Sequence, residues 1–125
     1  MTPRPPPGHR RSGGPWPKDP EIPEKRLRRA LPEVAADGTV REAGIRSAVA
    51  GLHLDPKIHT AYETRDGVVG VSLSVRPWLG GATDCVLARV APGRTDVWTP
   101  PRAQRMPGEA GCSTGNAISP ARPPH

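Results

Sequence analysis

The chain has no phenylalanine, one tyrosine and three tryptophans in 125 residues. Large aromatic side chains normally supply much of a core's buried area. Without them a large core is excluded, and a fold must rest on aliphatic packing and on ties of another kind. Lysine is scarce too: the 18 basic residues are 15 arginines and three lysines. The longest largely apolar run, Val68–Val75, is far shorter than the roughly 20 residues a membrane-spanning helix needs. An export signal is missing as well. Arg10-Arg11 opens like a twin-arginine signal, but Ser12-Gly13-Gly14-Pro15-Trp16-Pro17 follows where an apolar stretch belongs. As written, the chain reads as soluble.

Proline and glycine are abundant, at 18 and 14 residues. Proline dominates residues 2–23 and returns at 100–124, and the apolar periodic segments lie between. Composition therefore predicts a disordered Pro/Arg-rich tail over 1–21, one small domain over 22–118 and a disordered C-terminus over 119–125. The net charge of +6 is uneven. Residues 1–31 carry eight cations (Arg4, Arg10, Arg11, Lys18, Lys25, Arg26, Arg28 and Arg29) against three acids, a balance of +5. Such an arm is a candidate contact for nucleic acid, another anionic polymer, an anionic membrane surface or another protein. The competing reading is a solvated tail followed by the polar face of a helix. Neither an aromatic-rich basic groove nor a helix-turn-helix or RNA-recognition pattern accompanies it.

Hydrophobic periodicity predicts α+β. Leu27, Ala30, Leu31 and Val34 fall at helical spacing, and Pro32 keeps that helix short. Thr39-Val40-Arg41-Glu42 reads as a capping box opening a second helix over about 40–51, which presents Ile45, Ala48, Val49 and Leu52. After Pro56 the pattern alternates. Asp66-Gly67 is a two-residue hairpin turn, and its register sets Thr60 opposite Leu73, Tyr62 opposite Val71 and Thr64 opposite Val69. All of these point to one face with Ile58 and Val75. A second hairpin joins 85–90 to 96–99 around Pro92-Gly93-Arg94-Thr95. The simplest register pairs Val90 with Val97 and Arg89 with Trp98, which puts a guanidinium over an indole. The expected architecture is a four-stranded antiparallel meander with two short N-terminal helices on one face. Cys85, Leu87 and Trp98 load the other face, so the C-terminal segment, read as a loop, should cover it.

Gly111-Cys112-Ser113-Thr114-Gly115 matches the G-x-S-x-G pattern of a hydrolase nucleophile elbow. That chemistry needs a strand driving into a tight turn with a helix leaving it. Residues 106–110 do not read as a strand, nor 116–120 as a helix of useful length, and an acid and histidine are missing downstream apart from His125. Cys112 as a nucleophile with His53 or His59 as base lacks a local signature. A zinc site built from Cys85, Cys112, His53 and His59 lacks preformed ligand spacing. A disulfide between Cys85 and Cys112 accounts for more, because it would staple the cover to the face that needs one. No catalytic residue, metal or cofactor is implied.

The expectation is thus a small non-catalytic accessory or interaction domain. Polyanion binding through the basic arm is the alternative, and a Ser113 hydrolase the second alternative. The domain is extracytoplasmic if the cysteines pair and an export segment lies upstream of Met1, and cytoplasmic otherwise.

Overall fold

The computed structural model describes residues 21–75 and 81–120. Of the expected tails over 1–21 and 119–125, residues 1–20 and 121–125 lie outside the described residues. So do Arg4, Arg10, Arg11 and Lys18, and most of the loop entering the second hairpin.

Helix α1 (Glu24–Ala30) ends where the chain dictates. Pro32 disfavours helical backbone at Leu31, which is extended (φ −70°, ψ 140°). Leu27 and Leu31 are buried, and Ala30 and Val34 pack against the core from its margin. Helix α2 (Glu42–Ala50) buries Ile45 and Val49, with Leu52 following just beyond Gly51. Its start differs from the expected capping box. Arg41 is the N-cap residue and makes no side-chain cap bond. Glu42 is therefore the first helical residue instead of the third, out of place for a box with Thr39, and it accepts instead from Thr64 Oγ1 at 2.7 Å and from Arg46 Nε at 2.9 Å.

The four strands are β1 (His59–Arg65), β2 (Val68–Val75), β3 (Asp84–Ala91) and β4 (Arg94–Trp98), a single antiparallel sheet in the order β1-β2-β3-β4. The first hairpin has the expected register, Thr60↔Leu73, Tyr62↔Val71 and Thr64↔Val69. Asp66 and Gly67 both have positive φ, 51° and 76°. Two left-handed residues twist the turn in the same sense as the strands, which makes it tight and fixes the pairing.

The second hairpin corrects the expected register by two residues. Val97 pairs with Ala88 instead of Val90, and Trp98 with Leu87 instead of Arg89. The turn is two residues long, Pro92-Gly93, so Arg94 and Thr95 join the ladder rather than the loop. Proline presets the first turn position, and Gly93 supplies the positive φ (81°) of the second. A slip of two leaves every side chain on its expected face.

One face of the sheet carries Val69, Val71, Leu73, Val86, Ala88, Val90 and Val97, buried against Leu27, Leu31, Ile45 and Val49 of the helices. The other face is also covered. Here the chain after Pro100 departs from the expected loop: it makes a 3-10 turn (Arg102–Gln104) and a short helix α3 (Thr114–Ile118). The expected fold class is the observed one, α+β, with the C-terminal cover partly helical.

Helix α3 packs on β2 and reaches β1 and β3. Gly70 makes room for it. A Cβ there would lie 2.7 Å from Ile118 Cγ1 and 2.9 Å from the Thr114 carbonyl oxygen, closer than real Cβ contacts come. Gly70→Ala should therefore lift α3 from the sheet and cost on the order of 1–3 kcal/mol, as overpacking does. A urea midpoint equal to that of the unmodified chain would show that α3 does not seat on Gly70.

Candidate functional site

The motif that looks most chemical, Gly111–Gly115, lies within the C-terminal cover, and its side chains have partners within that cover or on the sheet beneath it. Cys112 is bonded to Cys85, with the Cα atoms 5.9 Å apart. The Cys112 carbonyl accepts from Ser72 Oγ at 2.6 Å, which satisfies the buried hydroxyl of β2. Ser113 is the N-cap of α3, its Oγ accepting the Asn116 backbone N–H at 3.0 Å. That is the ordinary work of serine before a helix. Thr114 Oγ1 donates to Glu63 Oε1 of β1 at 2.9 Å, and Asn116 Nδ2 donates to the Gly111 carbonyl at 2.8 Å.

Residues 106–112 before Ser113 are turns and irregular backbone, so the strand a nucleophile elbow requires does not lead into it. Neither thiol is free, which removes the nucleophile of the Cys–His reading and two ligands of the zinc reading. His53 lies beyond the end of α2 with φ 50°, and His59 opens β1 opposite Ser74. Among the described residues no three His, Cys, Asp or Glu side chains gather in a cluster fit for a metal ion.

The two glycines of the motif differ in what the backbone asks of them. A Cβ on Gly111 would lie 2.0 Å from the Gln104 carbonyl oxygen, the same oxygen that accepts the Gly111 N–H at 2.9 Å. Glycine is needed there for close approach of two backbones. Gly115 sits inside α3, and a Cβ on it would meet Ser113 Oγ at an ordinary 3.7 Å.

Two of the arginines that the sequence offered as polyanion contacts, Arg26 and Arg28, bond to backbone carbonyls. Arg26 donates to the Leu52 carbonyl at 2.8 Å, beyond the end of α2. Arg28 reaches the Val97 carbonyl at 2.7 Å and forms an exposed pair with Glu24. Lys25 and Arg29 are exposed on α1. Of the eight candidate cations, the structure therefore places four on one short helix and gives two of them carbonyl partners.

Two further arginines escaped sequence reading. Arg89 does not stack on Trp98; its Nε donates to the Ile118 carbonyl at 2.9 Å, because the last carbonyls of α3 lack intrahelical donors. Arg105, 17% exposed, donates to the Pro100 and Thr83 carbonyls and lies 3.7 Å from Asp84. It clamps the start of the cover to the start of β3. The cation–π contact among the described residues is Arg46 over Tyr62, 4.3 Å to the ring centroid.

Two carboxylates sit at the seams between layers. The Thr114 hydroxyl first, and Arg65 second, hold the Glu63 carboxyl below the usual 4.5. Thr64 first, and Arg46 second, do the same for Glu42. Burial pushes the Tyr62 phenol above 10.0.

Compared with protein-family models, with curated proteins and with solved structures, the chain matches none.

Two predictions follow from this geometry. Gly111→Ala should destabilise the domain by about 1–3 kcal/mol through overpacking. Gly115→Ala should be neutral or stabilise it by up to about 1 kcal/mol, since alanine is the better helix former. Thermal melts of the two variants check this, and equal effects would contradict the placement. The second concerns acid. Because the folded Glu63 carboxyl is lowered, its contribution is complete above pH about 4.5 and fades as pH falls through the lower folded value. Glu63→Gln should accordingly flatten the pH dependence of the urea midpoint below about pH 4.5. A curve parallel to that of the unmodified chain would speak against the Thr114–Glu63 bond.

Proposed function

We propose that the chain acts as a small non-catalytic interaction domain outside the reducing cytoplasm. The observation that supports this most is the Cys85–Cys112 disulfide, which spans 27 residues and ties the C-terminal cover to β3. Disulfides persist in oxidising compartments and are rare where thiol reductants circulate. Small domains with little core depend on them, and this chain has no phenylalanine. On this reading Ser113 is a helix cap and the serine motif carries no reaction.

Polyanion binding through the N-terminal arm is the second reading. It draws on Lys25 and Arg29, which are exposed on α1 next to the basic arm. Binding to duplex DNA and to anionic vesicles, titrated with salt, distinguishes it, since counterion release makes true polyanion binding steeply salt-dependent.

The compartment is tested by thiol trapping of the chain in its native cell. A maleimide mass tag should add nothing before reduction and two tags after it, and two tags beforehand would overturn the reading. In purified form, Cys112→Ser should lower stability by about 3–4 kcal/mol without reductant, the chain-entropy value for a loop of this length, and by almost nothing with it.

A further inference from the structure

The sheet has two edges, and the chain treats them differently. At β4 the outward carbonyl of Val97 is taken by Arg28 at 2.7 Å. The segment after α1 runs alongside: Thr95 Oγ1 donates to the Pro32 carbonyl at 2.9 Å and the Gly93 N–H to the Val34 carbonyl at 2.7 Å. At β1 the contacts from α2 reach side chains only, Glu42 to the Thr64 hydroxyl and Arg46 over the Tyr62 ring, and among the described residues nothing takes the outward backbone groups. The two-residue turn at Asp66-Gly67 makes Arg65↔Val68 a hydrogen-bonded pair. Antiparallel pairs alternate, so Arg65, Glu63, Ala61 and His59 face β2, and Thr64, Tyr62 and Thr60 aim their N–H and C=O groups outward. No backbone bond is made to these three from any other described segment. Thr60, Ala61, Thr64 and Arg65 are exposed. The strand carries no proline, lysine or bulge, and its charged residues, Glu63 and Arg65, sit at positions whose backbone is bonded to β2 and not at the three outward ones.

We propose that β1 is a self-association edge, which pairs antiparallel with β1 of a second copy of this chain to make one eight-stranded sheet. The outward residues are centred on Tyr62, the middle of His59–Arg65. A two-fold axis at that point sets Tyr62 opposite Tyr62 of the second copy and Thr60 opposite its Thr64. All three outward residues of each strand then find partners. These are β-forming residues that pair well across strands. Ala61 falls opposite the second copy's Glu63, so no two carboxylates directly oppose each other. Moving the axis to Glu63 would put Glu63 against Glu63, and moving it to Ala61 would call on Ile58, whose N–H is already bound to the Asp55 carbonyl. The register centred on Tyr62 therefore stands out on hydrogen bonding, since it alone pairs all three outward residues with one another, and it keeps the carboxylates apart, although it sets His59 opposite the second copy's Arg65. An edge of about 23 Å is in the small, transient size class, so association is expected at high micromolar concentration. The inference names a partner for the interaction-domain reading, yet it rests on the sheet alone: dimerisation of a chain that proves reduced in its native cell would sink the compartment and leave the edge standing.

Sedimentation equilibrium across rising concentration, combined with amide exchange, tests it. The mass should rise from 13.3 kDa toward twice that value, and the Thr60, Tyr62 and Thr64 amides should gain protection with concentration. The amides of His59, Ala61, Glu63 and Arg65 should be protected throughout. Thr60→Pro removes an outward donor without touching the β1–β2 ladder, and should weaken the dimer at least tenfold. Two milder variants cover the case in which that proline disturbs folding. Ala61→Glu, facing Glu63 of the second copy, should weaken association about threefold to tenfold at low salt, and Ala61→Lys should tighten it by a similar factor. A monomer at every concentration overturns the proposal. So does protection of the three amides that is independent of concentration, which would mean that another part of the chain covers the edge, or protection that appears only with a different protein.

Discussion

Gly70, Ser72 and Ser74 leave a shallow trough along β2, and the chain after Pro100 is arranged to fill it. A sheet this small cannot leave Leu87 and Cys85 in water on one side while it buries valines on the other, so a second layer is obligatory. The trough lets that layer approach closely: α3 lies on Gly70, and the Cys112 carbonyl meets Ser72. Close approach of a five-residue helix buries little area, however, and a helix of that length has no stability of its own in water. The disulfide supplies what area does not, by lowering the entropy of the unfolded chain. Remove the trough or the tie and the other contacts of the cover lose their positions.

A second economy runs through the structure. Arg26, Arg28, Arg89 and Arg105 each donate to backbone carbonyls at places where an element ends or meets another. A guanidinium suits this work because it offers several donors in a rigid fork and is only weakly hydrated, so its apolar stem can lie along the protein while its head reaches a carbonyl. In a domain without phenylalanine, these bonds join short helices, strands and loops that little side-chain packing holds together. Arginine richness thus has a structural meaning here that a charge count does not reveal.

The interior layer was legible where two independent signals agreed. Leu27, Leu31, Ile45 and Val49 were readable from helical spacing, and the first hairpin from the agreement of Asp66-Gly67 with the alternation on both sides. The second hairpin was read on the right faces and in the wrong register, because Pro92-Gly93 alone closes the turn and lets Arg94 and Thr95 pair. Parity of the pattern survives a slip of two, so the side chains could not reveal it. The capping box failed because the helix starts two residues later than Thr39 would set it, with Arg41 as its cap residue, which leaves Glu42 free to meet Thr64 of the sheet. Helix α3 was missed because five residues are too few to show a period, although Ser113 before Thr114 is a cap signal that could have marked it.

By itself the sequence determined which residues face the helices, where the first turn falls and that a second face would need covering, since these follow from side-chain alternation and local backbone preference. It also made Cys85 and Cys112 the natural pair, being the only two cysteines in the chain. Tertiary structure alone decided that Ser113 caps a helix, that Gly111 yields to the Gln104 carbonyl and that Arg26, Arg28, Arg89 and Arg105 turn to carbonyls. It also decided that, among the described residues, β4 has its outward groups taken while those of β1 have no backbone partner. Each of these depends on groups far apart in the chain meeting within a hydrogen bond's length, and no local pattern encodes such a meeting.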